Sequence, residues 1–309
     1  MSGLRDEVTS AAFGIGWSAV RRMPESSARS LFRSVADRAY ARNGAGVQQL
    51  RRNLARVRPE ASAAELDDLV REGMRSYFRY WVEAFRLPGV PPERIVATHR
   101  IIGDEHIIDA LAARRGLVIA LPHMGNWDHA GAWATLAHET LTTVAERLKP
   151  ESLYERFLDY RRSLGMEILP LTGGDRPVYE TLVDRCRAGR FVCLLADRDL
   201  SRSGVPVTLF GREARVPAGP AALAVDTGAA LLPAALWFED GVSVTSLGPP
   251  ITPAAEGDRA ARVAATVQTL VDRLAEGIAG HPQDWHMLQP LWTEDLDASR
   301  LARLRADAP

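Results

Sequence analysis

The chain has 309 residues, 46% hydrophobic and 25% charged, with a net charge of −1, the composition of a soluble globular protein and not of a disordered segment. Two cysteines, Cys186 and Cys193, are too few for a disulfide framework or a thiolate metal site and read as buried free thiols. Charge is uneven: residues 1–58 hold eleven arginines against four acids, a net +7, which leaves −8 for the other 251 residues and points to an anionic surface as partner.

Residues 1–22 carry charges throughout and lack a continuous apolar core, so they do not read as a signal peptide. The most apolar long window, 218–238, is interrupted by Asp226, Gly228 and Pro233 and does not read as a membrane span. The first ninety residues are expected to be helical. One stripe over 4–22 is formed by Val8, Ala12, Ile15 and Ala19, with Phe13, Trp17 and Val20 beside it. A second helix follows over 25–42, and a third, long one over 62–86, opened by the capping box Ser62–Glu65 and stopped by Pro88-Gly89.

From about residue 100 the pattern alternates. Strands are expected at 117–121, 141–146, 167–171, 191–196, 231–238 and 242–247, with helices at 127–138, 150–164, 176–188, 217–226 and 258–279. This argues for an α/β fold with a largely parallel central sheet flanked by helices and an N-terminal helical cover. Residues 1–309 read as one domain, with a basic, helical, membrane-associating part over 1–90 and a catalytic α/β part over 100–292.

The most informative stretch is Leu117 to Asp128. Five apolar residues form a buried strand, Pro122 ends it, and His123 stands where the chain leaves the sheet, before a glycine turn and a helix carrying Asp128. Reactive groups collect at the carboxyl ends of strands in open α/β sheets. A neutral histidine suits removal of a hydroxyl proton near neutral pH, and a carboxylate on its far nitrogen would fix the tautomer. Two carboxylates are candidates for that role: Asp128, and Asp197 at the end of the strand 191–196. The backbone N–H groups of Gly125 and Asn126 are candidates for an oxyanion pocket.

Around these, Glu146 ends a third strand, and Arg161 and Arg198 are suited to phosphate or a head group by their forked donors. Of the two histidines in 280–290, His286 is assigned to the site. No His-Glu-x-x-His or paired-cysteine spacing accompanies His123, Asp128 and His129, so no metal is expected. No Gly-x-Ser-x-Gly elbow is present either.

The His-x4-Asp element resembles that of glycerolipid-type acyltransferases. Together with 144–154, 169–174, 197–205, 216–220 and 284–289, it makes residues 116–292 similar to the bacterial lipid A biosynthesis acyltransferase family, and within it to the phosphatidylinositol mannoside acyltransferases of actinobacteria. The resemblance implies an enzyme at the cytoplasmic face of the cell membrane. It would move a fatty acyl group, palmitoyl, from acyl-CoA to a mannose 6-hydroxyl of phosphatidylinositol mannosides. It also implies an acyl-chain tunnel beside a groove holding His123, no cofactor beyond the acyl-CoA substrate, and an anionic membrane, not a nucleic acid, as the surface partner. Asp197 stands where the resemblance implies glutamate, one methylene longer. Gram-negative relatives carry an N-terminal membrane helix, whose place the basic helices of 1–58 would take. A lauroyl- or myristoyl-type lipid A acyltransferase and a non-catalytic lipid-binding protein are the alternatives.

Overall fold

The structure, a computed structural model, describes residues 16–147, 150–201 and 203–296. Strand β2 (Leu117–Leu121) is buried at every position. It has a parallel neighbour on each side, and its side chains alternate between two hydrophobic clusters. Val118 and Ala120 face one; Leu117, Ile119 and Leu121 face the other. A strand covered on both faces reads as a continuous apolar run, which is why the sequence marked it so clearly.

Seven strands form the main sheet: β1 (His99–Ile102), β2, β3 (Leu141–Ala145), β4 (Glu167–Pro170), β5 (Phe191–Leu195), β8 (Ala230–Glu239) and β9 (Val242–Leu247). Their order is β1-β9-β8-β2-β5-β3-β4, and every neighbouring pair is parallel except β8 and β9. β6 (Val205–Leu209) and β7 (Arg212–Val216) form a separate antiparallel hairpin. The expected α/β class with a largely parallel sheet is what the chain adopts.

Helices α1 (Glu25–Arg42), α2 (Ala45–Val57) and α3 (Ala63–Arg86) make the N-terminal cover, and the Ser62–Glu65 capping box opens α3. α4 (Pro92–Ala97) and α5 (Glu105–Ala112) follow. α6 (Trp127–Ala137), α7 (Glu151–Ser163), α8 (Val178–Arg187), α9 (Gly219–Thr227) and α10 (Arg259–Gly280) flank the sheet. Residues 16–22 are also helical, whereas positions 4–15 of the first expected helix, Phe13 among them, lie outside the described residues.

The sequence reading missed α2, α4, α5, β1 and the β6–β7 hairpin. α2 carries an apolar stripe of Val47, Leu50, Leu54 and Val57 that was there to be read, and beside it the buried Asn53 amide donates to the carbonyls of Met287 and Gln289. β1 is a four-residue edge strand with two polar residues and depends on β9 for definition. Pro206 lies in β6 of the two-stranded ribbon, where a strand with a single partner tolerates its missing N–H.

Within the basic segment, Trp17 and Phe32 pack against the rest of the protein. The Trp17 indole donates to the Phe85 carbonyl at 2.8 Å and its ring packs against Phe85 and Tyr160. Phe32 packs edge-on to Phe78 and Phe85. What α1 exposes is Leu31 and Val35, with Arg38 and Arg42 continuing the same stripe. Among the described residues no helix is long and apolar enough to cross a membrane.

Candidate active site

β2 stops at Leu121, while β8 pairs with it as far as Pro233 and then runs on against β9. The stagger leaves room above the end of β2, and the loop 122–126 turns there against Leu236. Gly125 adopts φ +57°, and a Cβ at that position would meet the Leu236 backbone at 2.8 Å, so only glycine fits. Asn126 then caps α6, its side chain accepting from the His129 N–H at 3.0 Å.

A segment from the C-terminal part of the chain clamps this loop. The Gly125 N–H donates to the Asp284 carbonyl at 2.9 Å, and the His286 N–H donates to the His123 carbonyl at 2.7 Å. The Gly125 N–H is therefore occupied and is not available for the expected oxyanion pocket.

His123 Nδ1 lies 2.7 Å from Asp197 Oδ1, and the His123 backbone N–H donates to Oδ2 at 2.9 Å. The buried Trp285 indole donates to the same Oδ2 at 2.9 Å. Burial alone would raise the Asp197 carboxyl. The facing His123 and these hydrogen bonds overcome that and hold it below its ordinary value. An ionised Asp197 requires the proton on Nδ1, so that Nε2 is the acceptor of the neutral ring; the His123 side chain is 34% exposed and lines a groove. The aspartate arm is long enough for this contact, although the resemblance implied a glutamate.

Asp128 is not at this histidine. It is 2% exposed and accepts from Arg161 Nε at 2.7 Å and from the Tyr80 hydroxyl at 2.9 Å. Burial would lower the Arg161 guanidinium pKa, but the Asp128 charge raises it above its ordinary value. The His-x4-Asp spacing thus joins two residues with separate partners: the histidine engages Asp197, and the aspartate fixes Arg161 and Tyr80.

The groove brings His123 together with Glu146, Arg161, Arg198 and His286. Glu146 is exposed, with no hydrogen-bond partner among the described residues. Arg161 spends Nε on Asp128, and Arg198 donates Nε to the Pro290 carbonyl at 3.1 Å. His286 is buried, with Nε2 at 2.9 Å from Ser76 Oγ, and the Ser76 hydroxyl donates to Asp284 Oδ1 at 2.5 Å. With that hydroxyl proton directed at Asp284, Oγ accepts from Nε2–H, and His286 Nδ1 is left without a partner. Burial pushes His286 down to about 3 and Asp284 up to about 6.

Sequence reasoning missed Ser76, Tyr80, Asp284 and Trp285. Asp284 and Trp285 stand in the stretch that was singled out for His286. Ser76 and Tyr80 carry no local signal, because α3 delivers them from a distant part of the chain. Among the described residues no cluster of three or more His, Cys, Asp or Glu is placed to hold a metal.

On the β2 face opposite Val118 and Ala120, an apolar cavity runs beneath α6 along the sheet, walled by residues such as Ile119, Leu121, Phe191 and Leu236. Trp127 is common to this cavity and to the groove, stacked on Tyr80 at 4.1 Å and edge-on to His123 at 5.8 Å.

Residues 5–294 match the model of the family described as bacterial lipid A biosynthesis acyltransferase. The chain is 52% identical over 310 residues to the phosphatidylinositol mannoside acyltransferase of Mycobacterium tuberculosis, covering 99% of this chain and 95% of that one. It is 52% identical over 302 residues to the protein of the same name from Mycolicibacterium smegmatis, covering 97% of each. A match of this extent, over a sheet and groove of the expected kind, makes the chain an acyltransferase of the bacterial lipid A biosynthesis acyltransferase family.

Proposed function

We propose that this chain transfers a fatty acyl group, palmitoyl, from acyl-CoA to a mannose 6-hydroxyl of a phosphatidylinositol mannoside, at the cytoplasmic face of the cell membrane. The observation that carries this reading is the Nδ1 contact of His123 with Asp197, which leaves Nε2 as an acceptor in a groove next to an apolar cavity. Names of relatives at 52% identity supply the acceptor class.

In this reading the acyl chain enters the cavity past Trp127. The acceptor hydroxyl gives its proton to His123 Nε2 as its oxygen attacks the thioester carbonyl. The C–S bond then breaks, and the imidazolium returns the proton to the departing thiolate, releasing CoA thiol and the ester. Asp197 orients the ring and stabilises its cation, and Trp285 and the His123 N–H hold Asp197. Arg161 and Arg198 face the phosphates of the donor or acceptor, exposed Glu146 offers acceptors to sugar hydroxyls, and buried His286 backs the groove wall. No cofactor or metal takes part. The exposed Leu31–Val35 stripe of α1 and its neighbouring arginines rest on the anionic membrane.

Purified protein, labelled palmitoyl-CoA and phosphatidylinositol mannoside should give labelled lipid and an equal amount of CoA thiol. Lipid binding without thiol release in a single turnover would show a lipid carrier, and transfer only to a lipid A precursor would show the wrong acceptor class.

A further inference from the structure

The wall of the apolar cavity is not uniformly apolar. His99 of β1 and Thr245 of β9 both line it, 8% and 5% exposed, and among the described residues neither ring nitrogen of His99 nor the Thr245 hydroxyl has a hydrogen-bond partner. The two are placed together by register. Thr245 pairs with Ile101 and His99 with Ser243, so His99 and Thr245 are diagonal neighbours on one face of the β1–β9 pair. His99 is boxed in from α6, with its ring 5.3 Å from Trp133 and 5.2 Å from His129. β1 lies three places from β2 in the sheet, so this end of the cavity is about 14 Å across the strands from the strand that delivers His123.

Buried polar groups are nearly always paired, and an unpaired one on the wall of a cavity marks what the cavity is built to meet. Burial pushes His99 down to about 3, so at neutral pH its ring presents one donor and one acceptor without charge.

We propose that His99 and Thr245 form a polar stop in the acyl cavity and set the longest chain that it holds. The inference rests on the reading that the cavity takes the acyl chain. A chain whose methyl end falls short of the pair leaves space for water to bond both groups. A chain one methylene too long displaces that water and offers nothing in return, so lengthening ceases to add affinity.

The test uses the whole protein and a homologous series of saturated fatty acids, each displacing a fluorescent fatty acid, with no turnover involved. Each added methylene should tighten binding about fourfold until the stop is reached, after which the gain ends. In Thr245→Val, which keeps the side-chain shape, and in His99→Leu/Thr245→Val, the rise should continue for at least one further methylene. At the length where the unmodified protein levels off, an ω-hydroxy fatty acid should bind it more tightly than the plain acid. The double variant should lose that advantage. An unchanged levelling length in Thr245→Val and in the double variant overturns the stop. A protein that binds the series with the expected break but transfers no acyl group leaves the stop standing and removes the transferase reading. Failure to bind any fatty acid overturns the stop together with the acyl cavity.

Discussion

Trp285 donates its indole N–H to Asp197 at 2.9 Å, on the carboxylate oxygen that also receives the backbone N–H of His123. One aromatic residue from the C-terminal part of the chain therefore holds the carboxylate that holds the histidine. Trp285→Phe keeps a six-membered aromatic ring and removes the donor together with the pyrrole part of the buried indole, so the melting temperature is measured beside turnover. A hydrogen bond to a charged group contributes about 1.5–3 kcal/mol, so kcat should fall about tenfold or more, with KM little changed. Unaltered kcat in a folded variant would show that Asp197 does not need this support.

His123→Ala should lower acyl transfer by about 10²-fold or more. The side chain is one-third exposed and its loop is held by backbone hydrogen bonds to residues 284 and 286, so the melting temperature should scarcely move. Retention of at least a third of the wild-type rate would remove His123 from the role of base.

The two carboxylates should separate by phenotype. Asp197→Asn should abolish most activity because it takes the anion from His123 Nδ1. Asp128→Asn leaves Arg161 buried without its counter-charge, and breaking one side of a buried pair costs about 3–5 kcal/mol, so its main effect should be on stability. Chemical denaturation and turnover on the same preparations decide the point. A stable, inactive Asp128→Asn beside an active Asp197→Asn would reverse the assignment.

Acid stability follows from the buried histidines. Burial pushes His99 and His286 from 6.5 down to about 3, so both stay neutral in the fold while the unfolded chain gains protons. Their contribution is complete above about pH 6.5 and is lost as pH falls toward 3. Asp284 works in the opposite direction: burial raises it from 3.8 to about 6, and its contribution falls as pH rises through that window. Between pH 7 and 5, His99→Leu should lose about 2 kcal/mol less stability than the unmodified protein, at about 1.36 kcal/mol per pH unit. Equal losses in urea titrations at the two pH values would show that His99 is not the source.

Membrane binding should depend on charge. Replacing Arg21, Arg22, Arg29 and Arg33 with glutamine should weaken binding to anionic liposomes, each basic residue contributing about 1 kcal/mol near the surface, and added salt should weaken it further. Activity on detergent-dispersed substrate should persist. Binding to neutral and anionic liposomes alike, indifferent to salt, would assign the N-terminal charge another purpose.

The fold was legible wherever a strand is covered on both faces. β2, β5 and β8 appear in the sequence at nearly their observed bounds, because burial on two sides demands unbroken apolar runs; β3, β4 and β9 are marked instead by short stretches of β-branched and apolar residues, β4 although it is an edge strand. β1 and the β6–β7 hairpin were not legible, since β1 opens with His99-Arg100 and the hairpin interleaves its apolar residues with Pro206, Thr208 and charged side chains, leaving little apolar trace.

The sequence by itself determined that His123 stands at a strand end with carboxylates and arginines nearby in the chain. Only the tertiary structure decided which groups meet. His-x4-Asp spacing suggested a pair, but a helix starting between the two residues turns Asp128 toward Tyr80 and Arg161. Parallel pairing of β2 with β5 sets Leu121 opposite Leu195 and so carries Asp197 to His123, 74 positions away along the chain. Strand register is fixed by which face of each strand is buried, and that depends on the assembled sheet, not on spacing along the chain.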